Sequence, residues 1–153
     1  KNNNKYTKKL LYSLMKLIKY LKIKYNIKNT NILGHSDVAP YRKKDPGKKF
    51  PWKFLYKNNL AYQPLFNYNV EKIYLLKKWF LKNNIKSKKG TTTFVLSYIG
   101  YDTLSAKNKK ELFRRLILAY QMHFMPNKVT GRIDDFTYKY VLNHFLNILL
   151  TKD

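Results

Sequence analysis

Residues 34–52 read GHSDVAPYRKKDPGKKFPW, and no apolar periodicity runs through them. Pro40, Pro46, Gly47 and Pro51 restrict the backbone to an irregular path. Irregular segments of this length inside a compact domain usually carry function. The stretch therefore predicts a long functional loop, called here the 34–52 loop.

The residues before this loop predict one helix and one strand. Apolar residues recur at helical spacing over residues 8–25, and Thr7 is placed to cap the first turn. Residues 31–35, NILGH, predict a short buried strand that ends at His35. A helix followed by a strand with a polar residue at its tip is typical of an α/β fold, which we expect here.

The residues after the loop predict helices only. We expect a helix over residues 70–81, then a polar linker over residues 86–90. Beyond the linker, the pattern predicts a small bundle of three helices. Caps for these helices are expected at Thr92, Ser105 and Asp134, and a helix end at Gly100.

The charge of the chain is strongly positive, +24 from 32 basic and 8 acidic residues. Such a charge ordinarily indicates a polyanionic partner. Only four of the basic residues are arginine, the residue that base and phosphate recognition favours, and lysine is over-used together with asparagine, isoleucine and tyrosine. Codon bias explains this pattern, so nucleic acid is not expected as a partner, whereas affinity for anionic cell-wall polymers is.

His35 and Asp45 lie ten residues apart in the loop, and both are good zinc ligands. A catalytic zinc needs three protein ligands, so two of three are present, and from the residues alone an ordinary loop remains an alternative. The two other histidines, His123 and His144, are predicted to be packed helical residues. Asp37 is expected to order the loop through a hydrogen bond.

The 34–52 loop and a second motif near the C-terminus resemble a known family. Residues 34–47 followed by Phe50-Pro51-Trp52 resemble the second metal-ligand loop of type 2 N-acetylmuramoyl-L-alanine amidases, most closely the lipoprotein amidases of the enterobacterial outer membrane. Residues 119–126, AYQMHFMP, with Gly131 and residues 134–137, DDFT, are similar to the Gln-x-x-Phe … Gly … Asp-x-x-Thr pattern of the helical peptidoglycan-binding domain that follows the catalytic domain there.

The resemblance implies roles for individual residues. His35 matches the second zinc-ligand histidine, Asp45 the carboxylate ligand and Lys43 the catalytic lysine, with Zn²⁺ as cofactor. Three other residues that match the family patterns are expected to have structural roles. Trp52 is expected to anchor the loop rather than line a glycan groove, Gly131 to serve a turn, and Asp134 to cap a helix.

The resemblance also implies a division of the chain. Residues 1–66 would be the C-terminal part of a mixed-sheet zinc amidase domain, residues 67–90 a connecting helix and linker, and residues 91–153 a three-helix peptidoglycan-binding domain. The first zinc histidine and the acidic general base of the family have no counterpart here. We therefore expect an N-terminally truncated fragment that is inactive alone, with room for a membrane lipid anchor in the missing part.

The function implied is a zinc hydrolase that cleaves the amide bond between N-acetylmuramic acid and L-alanine in peptidoglycan. Its partners would be peptidoglycan or muropeptides, and its location the cell envelope, in the periplasm or at the outer membrane. A non-catalytic peptidoglycan-binding protein is the alternative. No run of about 18 apolar residues exists, so no membrane-spanning helix is predicted.

Overall fold

The first helix begins where the sequence places its cap, since the Thr7 hydroxyl accepts a hydrogen bond from the Leu10 N–H at 3.2 Å. The computed structural model describes residues 6–67 and 69–150. Its elements over these ranges are α1 (Lys8–Tyr25), a 3₁₀ turn (Asn29–Asn31), α2 (His35–Val38), α3 (Trp52–Lys57), α4 (Val70–Lys82), α5 (Lys88–Ile99), α6 (Lys110–Phe124) and α7 (Asp135–Leu150).

The predicted α/β fold with a mixed sheet is wrong for the part of the chain that the structure describes, which holds helices and no strand. The backbone of Ile32 and Gly34 is extended, but an extended segment becomes a strand only when a neighbour pairs with it. Instead, residues 29–31 form the 3₁₀ turn, and His35, expected at a strand end, is the first residue of α2.

The helix predictions over residues 8–25 and 70–81 are confirmed by α1 and α4, and Gly100 ends α5 in the left-handed conformation at φ 111°. The linker over residues 86–90 and the cap at Thr92 are wrong. Helix α5 begins at Lys88 because the Ser87 side chain accepts the Gly90 N–H at 2.9 Å.

The two remaining caps have different outcomes. Ser105 does not cap α6, which begins five residues later at Lys110, because its hydroxyl instead donates to Asp102 at 2.7 Å. Asp134 does cap α7, since its carboxylate accepts the Thr137 N–H at 2.8 Å.

Two apolar clusters hold the helices together. The smaller lies between α1 and α3 and contains Met15, Trp52 and Leu55. The larger is formed mainly by α4 to α7, and Tyr41 of the 34–52 loop packs against it. The loop thus lies between both clusters. The division into residues 1–66, 67–90 and 91–153 stays a prediction, and among the described helices none is long and apolar enough to span a membrane.

Candidate metal-ligand site

The 34–52 loop closes on itself and brings two predicted ligands together. His35 Nδ1 is in direct hydrogen-bonding contact with Asp45 Oδ2, and the Ser36 N–H donates to the Asp45 backbone oxygen at 2.9 Å. The hydrogen bond from His35 is the main cause that lowers the pKa of the exposed Asp45 carboxyl group. An imidazole nitrogen and an ionised carboxylate therefore meet at one point of the surface.

Gly34 allows this closure because the chain returns directly over it. A Cβ atom on Gly34 would lie 2.5 Å from Pro46 Cδ, closer than side-chain atoms approach one another. The Gly34 N–H also donates to Asp37 Oδ2 at 2.8 Å, which begins α2. The glycine is thus required by close approach of Pro46, the residue after Asp45.

Lys43 lies in the same loop, two residues before Asp45. Its backbone N–H donates to Ala39 O at 2.9 Å, and its side chain is exposed to solvent. The positive charge of Lys43 also contributes to lowering the pKa of Asp45, so it acts on the pair electrostatically. Its catalytic role stays a prediction.

The chemistry of the pair fits part of a zinc site. Imidazole nitrogen and carboxylate oxygen are both zinc donors, and the side chains are 74% and 57% exposed, so further ligands have access. Within the described residues, no group of three His, Cys, Asp or Glu side chains could hold a metal. The described chain therefore offers two donors, where a catalytic zinc needs three.

Asp37 orders the loop as predicted, through its bond to the Gly34 N–H. Trp52 anchors the far end of the loop, as predicted: its side chain is 4% exposed and its ring stacks on that of His123 with centroids 3.7 Å apart. Both ends of the loop are therefore attached to the core.

His123 and His144 are buried packing residues, which confirms their prediction. His123 Nδ1 is 2.8 Å from Asp37 Oδ2, and His144 Nδ1 is 3.0 Å from the Tyr120 hydroxyl. Burial lowers the pKa of His144 to about 3, with a smaller contribution from His123. His144 is consequently neutral at physiological pH.

Sequence reasoning missed Tyr101, whose hydroxyl donates to Asp37 Oδ1 at 2.6 Å. Tyr101 is 64 residues from Asp37 and His123 is 86 residues away. No spacing rule links residues so far apart. The only available signal was that a carboxylate enclosed by apolar residues must find donors elsewhere in the fold.

The matched residues of the C-terminal pattern serve structure. Gln121 is fully buried; its Oε1 accepts the N–H groups of Thr130 and Gly131, and its Nε2 donates to Thr137 Oγ1. Gly131 occupies a tight turn at φ 69°, as predicted. This network joins α6 to the start of α7.

Comparison with known proteins finds similarity in sequence and in fold to N-acetylmuramoyl-L-alanine amidases. No protein-family model matches the chain. The chain is homologous to part of the N-acetylmuramoyl-L-alanine amidase AmiD of Escherichia coli strain K12, with 31% identity over 127 residues that make up 81% of this chain and 43% of that protein. It thus spans less than half the length of this relative.

Two solved structures share the fold. One is the E. coli amidase AmiD in complex with its substrate anhydro-N-acetylmuramic acid-L-Ala-D-γ-Glu-L-Lys (TM-score 0.70, 26% identity, 94% of this chain and 52% of that chain). The other is Pseudomonas aeruginosa AmpDh3 in complex with anhydromuramic pentapeptide (TM-score 0.73, 26% identity, 95% of this chain and 55% of that chain).

Proposed function

We propose that this chain is part of a zinc-dependent peptidoglycan amidase that cleaves the amide bond between N-acetylmuramic acid and L-alanine. The observation that carries the proposal is the convergence of His35 and Asp45 in a loop whose sequence resembles the ligand loop of such amidases. The muropeptides bound by the two structural relatives support peptidoglycan or its fragments as the substrate.

In this proposal, His35 and Asp45 hold the metal. Zinc, when bound, activates water and polarises the scissile carbonyl. Lys43, close enough to act electrostatically on Asp45, would donate to the oxygen of that carbonyl as negative charge develops there. The remaining zinc ligand and the general base would come from residues outside the described chain, so the chain alone is expected to be inactive.

Lysine is suited to stabilising negative charge on the carbonyl oxygen because its ammonium group is a compact point charge on a flexible stem. The neighbouring Lys44 is also exposed, and the resemblance assigns it no catalytic role. It is therefore a matched control for the role of Lys43.

The alternative is a non-catalytic protein that binds peptidoglycan. The absence of a third donor in the described residues favours it. The net charge of +24 supports attraction to anionic wall polymers in either case.

The test compares the chain with a form extended upstream in its reading frame. Zinc content after dialysis and release of stem peptides from purified murein are measured for both. We expect stoichiometric zinc and amide cleavage in the extended form. If the extended form binds murein but neither holds zinc nor releases stem peptides, the protein is the non-catalytic peptidoglycan-binding protein.

Variants of the extended form then test the assigned residues. His35→Ala and Asp45→Asn are expected to abolish zinc retention. Lys43→Ala should retain zinc but lose about 100-fold or more in turnover, as removal of an oxyanion donor does. Lys44→Ala should leave turnover unchanged, and equal losses in both lysine variants would refute the role of Lys43.

A further inference from the structure

Asp37 joins the 34–52 loop to the C-terminal helices. Its carboxylate is buried, with the residue 6% exposed, and it receives three hydrogen bonds from separate parts of the chain. The donors are the Gly34 N–H at 2.8 Å, His123 Nδ1 at 2.8 Å and the Tyr101 hydroxyl at 2.6 Å. The residue two positions after His35 is thus fixed from α6 and from the segment that follows α5.

The chemistry of this junction makes its members interdependent. Asp37 Oδ2 accepts from the Gly34 N–H and contacts His123 Nδ1, and Asp37 Oδ1 accepts from the Tyr101 hydroxyl, so both oxygens are occupied. A buried carboxylate that loses a donor is costly, so the network holds the loop firmly only when it is complete.

His123 makes two ring contacts besides its bond to Asp37. Its ring stacks on that of Trp52, with centroids 3.7 Å apart and planes 14° apart, and on that of Phe124, with centroids 4.0 Å apart and planes 3° apart. Trp52 is the last residue of the loop. One side chain of α6 therefore contacts the loop near its start, through Asp37, and at its end, through Trp52.

The middle of the loop is attached to the same helices. The Arg115 guanidinium on α6 donates to the Tyr41 backbone oxygen at 2.9 Å, and the Tyr41 hydroxyl donates to the backbone oxygen of Asp102. The loop is thus attached to the C-terminal helical region at three places. His35 and Asp45 are themselves exposed, so the attachments at Asp37, Tyr41 and Trp52 hold the backbone on which these two residues lie.

We propose that α6 and the segment after α5 position the 34–52 loop, with His123 and Tyr101 as positioning residues that act through Asp37. The C-terminal helices are then a structural part of the metal site, whatever they also bind. The metal in this statement rests on the proposed function, whereas the ordering of the loop does not.

The test uses Tyr101→Phe, which removes one oxygen atom and leaves the ring in place. Tyr120→Phe is the matched control, because it removes another buried hydroxyl, one that bonds to His144 and not to Asp37. The first readout is hydrogen exchange of the Ser36 amide, whose acceptor is the Asp45 oxygen. The second is Zn²⁺ affinity by calorimetry, on the chain as it stands and on the extended form.

We expect the Ser36 amide to exchange about 10-fold faster in Tyr101→Phe than in Tyr120→Phe. The melting temperatures of the two variants should be similar. Zn²⁺ affinity should fall about 10-fold, as it does when groups that orient metal ligands are removed. Tyr120→Phe should change neither readout. Equal changes in the two variants would reduce Tyr101 to a general stabilising residue and overturn the proposal.

Two substitutions of His123 separate the hydrogen bond from the ring stack. Asn keeps an N–H donor in place of Nδ1, and Phe keeps a ring between Trp52 and Phe124. His123→Asn should protect Ser36 better than His123→Phe does, and the reverse order would show that stacking alone positions the loop. If exchange at Ser36 responds as expected but no form binds Zn²⁺, the positioning stands and the zinc function fails.

Discussion

Substitution of Gly34 by alanine should separate the two predicted zinc ligands. The added Cβ would lie 2.5 Å from Pro46 Cδ, whereas ordinary contact begins at 3.4 Å, so about 0.9 Å of movement is required. Pro46 is a ring fixed to the backbone and directly follows Asp45, so the movement displaces that carboxylate. Overpacking of this kind costs about 1–3 kcal/mol.

For a chain of this size, that loss lowers the melting temperature by about 3–10 °C, measured by circular dichroism. The Ser36 amide, which donates to the Asp45 oxygen, should exchange with solvent faster than the change in global stability explains. Gly90→Ala is the control, because its Cβ would lie 3.1 Å from the Ser87 hydroxyl and 3.3 Å from an Ile85 methyl group, much less close than the 2.5 Å to Pro46.

Gly90→Ala should change stability by about 1 kcal/mol or less, since the helix propensity that alanine adds offsets its tight contacts. It should leave Ser36 exchange unaltered. A Gly34→Ala variant with normal stability and normal Ser36 exchange would refute the claim that the loop closes over Gly34.

The remaining predictions concern the helical region. Gln121→Leu removes the partners of the buried Gly131 N–H and of the partly buried Thr130 N–H and Arg132 carbonyl, so it should lower the free energy of unfolding by about 1–3 kcal/mol in urea titrations, and a loss under about 0.5 kcal/mol would contradict the network. Asp134→Ala should cost about 1–2 kcal/mol through loss of the bond to the Thr137 N–H, whereas Asp134→Asn keeps the cap oxygen and should retain most of it. The pKa of His144 falls from 6.5 to about 3 on folding, so the unfolded chain takes up a proton that the folded chain does not. Stability is therefore full above pH 6.5 and should decline by roughly 2–5 kcal/mol as the pH falls toward 3. His144→Gln, whose amide can still bond to the Tyr120 hydroxyl, should flatten this decline in unfolding curves recorded between pH 7 and 3, and an identical decline in both proteins would exclude His144 as its source.

The sequence predicted most helices because their signals are local. The caps at Thr7 and Asp134 and the left-handed end at Gly100 depend on residues within one turn. The predicted strand over residues 31–35 failed for the opposite reason. A strand needs a pairing partner, and the described residues supply none, so a short apolar run could not decide between strand and turn.

The candidate site divides in the same way. Residue types in the loop offered His35 and Asp45 as zinc donors, because ligand chemistry is a property of the side chains themselves, and the family resemblance assigned their roles and that of Lys43. Whether the histidine and the carboxylate meet depends on the path of the ten-residue segment between them. That path is set by close packing of Pro46 over Gly34, which the tertiary structure reveals.

The sequence by itself thus determined α1, α4, the end of α5 and the start of α7, together with the donor atoms that the 34–52 loop carries, since each follows from interactions over a few residues. Only the tertiary structure decided what holds the loop in place. The partners of Asp37 lie 64 and 86 residues along the chain, and a buried carboxylate selects its donors by position in space. The loop and the C-terminal helices therefore form one structural unit around that carboxylate.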